Sequence, residues 1–167
     1  MTPPIRIGRI LVPVDGSEFS RYAAEHAVRI AQAYGSEVLF LHVVDEQLVG
    51  QLAHLEPQDG EQHARERLID QGQIYLRDVA RHAIDAGVAH RELVSEGDPC
   101  TAICEAATRS AVDLIVMGKI GRRGARRIIV GSITRRVIES TALPVLIVAA
   151  PVNGAAAADS AASSVAR

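Results

Sequence analysis

The chain has 167 residues, with 18 lysines and arginines, 20 aspartates and glutamates, two cysteines and no tryptophan, and 48% of its residues are hydrophobic. This profile indicates one globular domain, and the net charge of −2 gives no overall bias toward nucleic acid or an acidic membrane surface. The first residues lack the basic start and apolar run of a signal peptide. The longest apolar stretch, 143–152, contains two prolines and is half as long as the ~20 residues that a membrane-spanning helix needs. We therefore expect a cytoplasmic protein without membrane insertion.

Strand-like and helix-like segments alternate along the chain. Four short segments, 9–14, 37–44, 113–117 and 144–148, are apolar on both faces, as strands inside a parallel sheet are, and 91–95 is a weaker fifth candidate. Apolar residues with helical spacing lie at 19–31, 68–83 and 103–107. Ser17 and the pair Asp98-Pro99 are typical of helix starts. The order β-α-β-α-β-α-β-α-β predicts an open, doubly wound, five-stranded parallel α/β sheet of the Rossmann-like type.

Two segments stand apart from this alternation. Residues 45–64 have no clean period and contain proline and glycine, so we expect a loop or a loose helix that leads into the second long helix. Residues 151–167 form an Ala/Ser-rich tail with nothing large to bury, and we expect it to be disordered. The domain is therefore assigned to residues 1–150.

A glycine-rich, cationic segment follows the fourth predicted strand, where an open parallel sheet places its ligand crevice. Glycines 118, 121, 124 and 131 allow backbone N–H groups to approach an anion, and a helix beginning at Ser132 adds its own free N–H groups. Residues 118–136 contain seven cations and no acid, which leaves a net charge of −9 on the rest of the chain. The spacing fits neither a P-loop nor the dinucleotide fingerprint, which follows a first strand. The segment predicts phosphate binding of another kind.

Five separated segments resemble the universal stress protein family. The stretch Gly118-x2-Gly121-x9-Gly131-Ser132 matches the ATP-binding pattern G-x2-G-x9-G-[ST] of that family. VPVDGS at 12–17, LHVVD at 41–45, DLIVMG at 113–118 and LPVLIV at 143–148 resemble its other landmarks in the same order. The resemblance covers roughly residues 7–149. It implies a fold of the adenine nucleotide alpha hydrolase type, a homodimer joined through the last strands, and bound ATP, with ADP or AMP as alternatives.

The resemblance also implies which residues hold the nucleotide. Phosphates and ribose would be held by the glycine pattern and the helix start, the adenine would meet the backbone of Val43, and the first turn would line the base and ribose side. A Mg²⁺ ion on the phosphates would lie near Asp15. The full implied set is Pro13, Val14, Asp15, Val43, Gly118, Gly121, Arg122, Gly131, Ser132, Ile133 and Thr134.

Each of these interpretations has a structural alternative. Asp15 could cap the first helix or turn its loop, because Asp-Gly-Ser is a common turn sequence. His42 lies inside an apolar strand, which favours a hydrogen-bonded core or rim histidine over a catalytic one. Cys100 and Cys104 share a helix face, and buried packing explains them better than metal binding does.

Three functions remain compatible with the residues. The favoured one is a regulatory stress-response module that binds ATP, signals its occupancy through a homodimer and passes that state to a protein partner. The alternative is a slow ATPase or nucleotidyl-transfer enzyme that uses the same pocket. Nucleic-acid binding by the arginine cluster is disfavoured, because no aromatic residue interleaves with it to stack on bases.

Overall fold

The computed structural model describes residues 6–121 and 130–149, so Arg122, the arginines up to residue 127 and the predicted tail at 151–167 lie outside the described residues. A five-stranded parallel sheet has the order β3-β2-β1-β4-β5. Its strands are β1 (Arg9–Pro13), β2 (Glu37–Asp45), β3 (His90–Gly97), β4 (Leu114–Gly118) and β5 (Val145–Val148). Its helices are α1 (Glu18–Tyr34), α2 (Glu46–Leu55), α3 (Gly60–Asp85), α4 (Pro99–Arg109) and α5 (Ser132–Ser140). The predicted doubly wound fold is confirmed.

The two faces of the sheet bury separate cores, because side chains alternate along each strand. Val12 and Phe40 lie on the face covered by α1 and α3, whereas Leu11 and Leu39 lie on the face covered by α4 and α5. Cys100 is buried in the second core and Cys104 packs against it, in agreement with the packing interpretation. Burial also raises the pKa of the Cys104 thiol.

The loop alternative for residues 45–64 was wrong, since most of the segment is helical. Asp45 caps α2 by accepting a hydrogen bond from the N–H of Gln47 at 3.0 Å. The helix then places Val49 against Val44 and Ala64 in a third, small apolar cluster above the end of β2. Tertiary packing of a few apolar side chains therefore outweighs the weak local period.

An ionic contact also holds α2 in place. Arg65 of α3 binds Glu46 at the start of α2 at 2.7 Å and also Glu96 at the end of β3. The Arg65 guanidinium lowers the pKa of Glu46. No helix within the described ranges is both long enough and apolar enough to cross a membrane.

Candidate functional site

A cleft of about 640 Å³ lies beyond the carboxyl ends of the strands. It opens where the chain order reverses between β1 and β4, which is where open α/β sheets bind ligands. The structure places ten of the eleven predicted site residues on its walls, and the eleventh, Arg122, lies outside the described residues. These ten are Pro13, Val14, Asp15, Val43, Gly118, Gly121, Gly131, Ser132, Ile133 and Thr134.

The turn after β1 directs Asp15 toward the glycine segment. Gly16 has φ +78°, which favours glycine, and Asp15 Oδ1 accepts a hydrogen bond from Ser17 N–H at 3.0 Å. A Cβ atom on Gly121 would lie 2.7 Å from Asp15 Oδ2, so a larger residue there would require the Asp15 carboxylate to move. Asp15 therefore combines the turn role with a place in the cleft.

His42 supports the same turn from behind. Its Nδ1 lies 2.8 Å from the carbonyl oxygen of Val14, and because a carbonyl only accepts, Nδ1 carries the hydrogen. The imidazole is buried and lies edge-on to the Tyr75 ring, with centroids 5.9 Å apart. A Cβ on Gly72, inside α3, would come within 2.7 Å of His42 Cγ and Nε2. The structure thus confirms a hydrogen-bonded rim histidine and explains the glycine in the helix.

The backbone of Val43 faces the cleft. The backbone N–H and C=O groups of successive residues in a strand point to opposite neighbouring strands. The carbonyl of Leu41 faces β1, where it accepts a hydrogen bond from Val14 N–H at 2.7 Å. The N–H of Val38 donates toward β3 instead, so odd-numbered residues of β2 face β1. Because β1 ends at Pro13, the N–H and C=O of Val43 point past the end of β1.

The glycines of the motif differ in what surrounds them. A Cβ on Gly118 would lie 2.8 Å from the backbone carbon of Phe19, so this glycine lets α1 pack against the end of β4. A Cβ on Gly131 would come no closer than 3.4 Å to any atom of the described residues, and its φ of −64° suits any residue. Internal packing therefore explains Gly118, whereas it leaves Gly131 unexplained.

The start of α5 projects N–H groups into the cleft. Gly131 is its N-cap, and no side chain among the described residues caps this helix. Thr134 is buried and donates its hydroxyl hydrogen to the Gly118 carbonyl at 3.1 Å, which ties α5 to the end of β4. Ser132 remains exposed at the helix start. The arrangement offers backbone donors and a positive dipole end to an anion.

Sequence reasoning missed the far end of the cleft. Gln47, Leu48, Leu68 and Gln71 approach from α2 and α3, and Asp98 and Arg136 approach from the opposite face. Gln47 and Leu48 could not be found because residues 45–64 showed no clean period, and Leu68 and Gln71 lie in the helical segment 68–83, to which no binding role was assigned. Asp98 was identified only as a helix start, and Arg136 only as one of seven cations.

Comparison with known proteins identifies the family to which this chain belongs. Residues 6–149 match the profile of the universal stress protein family. The chain belongs to that family. The resemblance carried by the five sequence segments is thereby confirmed.

Relatives of the universal stress protein family share most of their length with this chain. Universal stress protein MJ0531 of Methanocaldococcus jannaschii is 38% identical over 143 residues, 86% of this chain and 82% of that protein. The solved structure of MJ0577, from the same organism, has a TM-score of 0.77 and 26% identity and covers 89% of this chain and 100% of that one. The universal stress protein of Archaeoglobus fulgidus in complex with dAMP has a TM-score of 0.63 and 20% identity, with 87% and 99% covered. This last likeness concerns the fold.

Proposed function

We propose that this protein binds ATP, or ADP or AMP, in the cleft between β1 and β4. The observation that carries the proposal is the start of α5, where a glycine N-cap, with no side-chain cap among the described residues, leaves backbone N–H groups at the wall of the cleft. Such a helix start favours phosphate through both its free donors and its dipole. The glycines at 118, 121 and 131 that match the family pattern surround this point.

The base is assigned to the end of the cleft next to Val43. The N–H and C=O of that residue form an adjacent donor and acceptor, which complement N1 and the N6 amino group of adenine. The universal stress protein of A. fulgidus was solved with dAMP, an adenine nucleotide, on the same fold. Adenine selectivity is therefore expected to come from the backbone of β2.

Asp15 is the candidate for holding a metal ion. No group of three or more His, Cys, Asp or Glu side chains able to hold a metal is found in the described ranges. Mg²⁺ commonly binds one or two carboxylates together with substrate phosphates, and one carboxylate facing the glycine segment fits that pattern. Asp15 would then hold Mg²⁺ only together with the nucleotide.

The biological role proposed for this binding is regulatory. A cytoplasmic homodimer would hold the nucleotide, change its surface with occupancy and pass that state to a protein partner. The sheet edge at β5 supports the dimer, because Leu146 of this edge strand is 37% exposed and an unpaired edge invites a two-fold partner.

Nucleotide binding is tested by denaturing the purified protein and identifying any released nucleotide by chromatography. Calorimetric titration with ATP then compares Gly131→Val with Gly50→Val, a control glycine in α2 whose Cβ would meet nothing within 4 Å. We expect Gly131→Val to lose affinity at least about tenfold, because the branched side chain occupies the approach to the α5 N–H groups. Unchanged binding in Gly131→Val would place the phosphates elsewhere.

Turnover is tested in the same preparation by incubation with ATP and Mg²⁺. Retaining a nucleotide needs only the cradle, whereas hydrolysis also needs a positioned water and stabilisation of the transferring phosphoryl group. We expect bound ATP to persist. Turnover at the roughly 1–100 s⁻¹ typical of kinases would favour the enzyme alternative.

The dimer is tested at both edges of the sheet. Leu146→Arg places a charge on β5, and Val94→Arg makes the same type of change on β3, where Val94 is 40% exposed. Solution scattering at micromolar concentration should give a dimer mass for the wild type and Val94→Arg and a monomer mass for Leu146→Arg. A monomeric wild type would contradict the proposal.

A further inference from the structure

An ion pair closes one wall of the cleft. Arg136 on α5 reaches across to Asp98, the N-cap of α4, and both contacts, Nη1 to Oδ2 and Nη2 to Oδ1, measure 2.9 Å. Asp98 Oδ1 also accepts from the N–H and hydroxyl of Thr101 at 3.0 and 2.9 Å. This two-point contact fixes the plane of the guanidinium. The Arg136 guanidinium holds the pKa of Asp98 at about 2, so the carboxylate stays ionised at neutral pH.

The pair lies at the base end of the cleft. Asp98 directly follows Gly97, which is in register with Asp45, two residues beyond Val43 on the neighbouring strand. Val43 packs against the core on the α4 and α5 face, the face on which Arg136 approaches. A base that contacts the Val43 backbone would therefore share the cleft with the Arg136 side chain on this face of the sheet.

The chemistry of Arg136 in this position suits a planar ring better than a phosphate. Asp98 neutralises its charge and occupies the fork end of the guanidinium, and the Arg136 side chain lines the cleft. Arg136 also lies four residues after Ser132, about 6 Å along the helix from the uncapped N–H groups. Guanidinium groups stack on aromatic rings through dispersion and cation–π attraction.

We propose that Arg136, held flat by Asp98, stacks on the nucleobase and is a specificity-determining residue of this cleft. The proposal rests on the nucleotide-binding function proposed above and adds a base contact on the α5 face of the sheet. Asp98 acts through Arg136 and is a positioning residue.

The test compares Arg136→Gln with Arg135→Gln, which makes the same change one residue earlier on the same helix. Arg135 is 70% exposed and does not line the cleft. Binding of ATP is measured by calorimetry, and binding of adenosine by chemical-shift titration at millimolar concentration. We expect Arg136→Gln to weaken adenosine and ATP by the same factor, roughly 2- to 30-fold, because the contact involves the base. Arg135→Gln should leave adenosine unchanged.

A second variant separates shape from charge. Arg136→Lys keeps the positive charge but loses the planar fork, so it should bind adenosine about as weakly as Arg136→Gln does. Full adenosine affinity in Arg136→Lys would overturn the proposal. A loss for ATP without a loss for adenosine would overturn it too, since Arg136 would then contact phosphate.

The positioning role of Asp98 is tested by a double-mutant cycle. Asp98→Asn should weaken adenosine binding in the wild type and have no further effect in Arg136→Gln, whereas an independent effect would contradict positioning through Arg136. Asparagine retains the N-cap, so helix α4 is preserved. If the wild type binds neither ATP nor adenosine, the nucleotide function itself fails. If it binds both and Arg136→Gln matches Arg135→Gln, only the stacking contact fails.

Discussion

Four helices of the described residues follow a strand in chain order, and their starts are built in two ways. Ser17, Asp45 and Asp98 cap α1, α2 and α4 with a side-chain oxygen, whereas α5 begins at a glycine with no side-chain cap among the described residues. A side-chain cap satisfies one of the free N–H groups at a helix start, and an uncapped start leaves that group for a partner as well. The candidate phosphate position is therefore the one helix start of the four that has no capping side chain in the described ranges, the start of α5.

Glycines in and behind the cleft divide in the same manner. At Gly118 and Gly72 the missing side chain makes room for other parts of the protein, the α1 backbone and the His42 ring. At Gly131 a Cβ would come no closer than 3.4 Å to the rest of the described residues, which is an ordinary contact distance. Substitutions can therefore separate a glycine needed by the fold from one needed by a ligand.

The largest stability effect is expected at Gly118. Gly118→Ala forces a Cβ to 2.8 Å from Phe19 Cβ and from the Phe19 backbone, which a helix cannot easily move, and should lower the free energy of unfolding by roughly 1–3 kcal/mol. Gly131→Ala should cost less than about 1 kcal/mol, since it loses only a favourable N-cap residue. Urea unfolding of both variants measures the difference. Equal losses would show that the fold needs both glycines alike.

Gly72→Ala extends the comparison of glycines to the contact between α3 and His42, which supports the turn that carries Asp15. The added methyl group displaces the His42 ring from its hydrogen bond with Val14, so we expect a lower free energy of unfolding and weaker ATP binding. Gly50→Ala is the matched control in a helix with open space, and should raise stability by up to about 1 kcal/mol. A Gly72→Ala variant as stable as Gly50→Ala would show that the contact with His42 carries no energy.

Capping the uncapped helix should trade affinity for stability. Gly131→Asp supplies the carboxylate that α5 lacks, so the free energy of unfolding should rise by a few tenths of a kcal/mol, about 1 kcal/mol at most. The same carboxylate competes with phosphate for the N–H groups, and ATP affinity should fall at least about tenfold. Thermal unfolding and calorimetry on one preparation measure both changes. Unchanged affinity in a stabilised variant would show that these N–H groups do not hold the ligand.

Asp15→Asn tests whether the carboxylate acts through a metal. Asparagine can still accept the hydrogen bond from Ser17 N–H, so the turn is preserved while the charge is lost. ATP binding with Mg²⁺ should weaken more than binding with a chelator present, because only the first uses the carboxylate. Equal losses under the two conditions would assign Asp15 to the turn alone.

The sequence predicted the fold well because its buried strands are continuous apolar runs. Segments such as 113–117 can hardly be anything but central strands, and the helix starts at Ser17 and Asp98 are confirmed. α2 was not resolved because its stability comes from packing of Val49 against α3, which local periodicity does not record.

The spacing of the glycines identified residues that line the cleft, but it did not show what each glycine does there. Gly118 and Gly131 belong to one motif, yet only the structure shows that a Cβ would clash with helix α1 at Gly118 and would make ordinary contacts at Gly131. The sequence could not distinguish Arg136 from the other six cations of the segment, because its ion pair with Asp98 depends on how α4 and α5 pack together. Ion pairs between two helices cannot be predicted from local sequence patterns.

The smallest expected effect is on stability, at Asp98, which caps α4 and also binds Arg136. The pKa of Asp98 is lowered from 3.8 to about 2, first by its hydrogen bond with Arg136 and then by the backbone N–H of Thr101. A carboxyl with a lowered folded-state pKa stabilises the fold above its unfolded pKa and loses that contribution as pH falls through the folded one. The stability advantage of wild type over Asp98→Asn should therefore be constant above about pH 5 and shrink toward pH 2. Because both side chains are more than a third exposed, the advantage should stay below about 1 kcal/mol. Urea midpoints of the two proteins from pH 7 to pH 2 measure it, and Arg136→Gln should remove most of the same pH dependence. An advantage that persists unchanged at pH 2 would show that the ion pair between Asp98 and Arg136 does not account for the difference in stability.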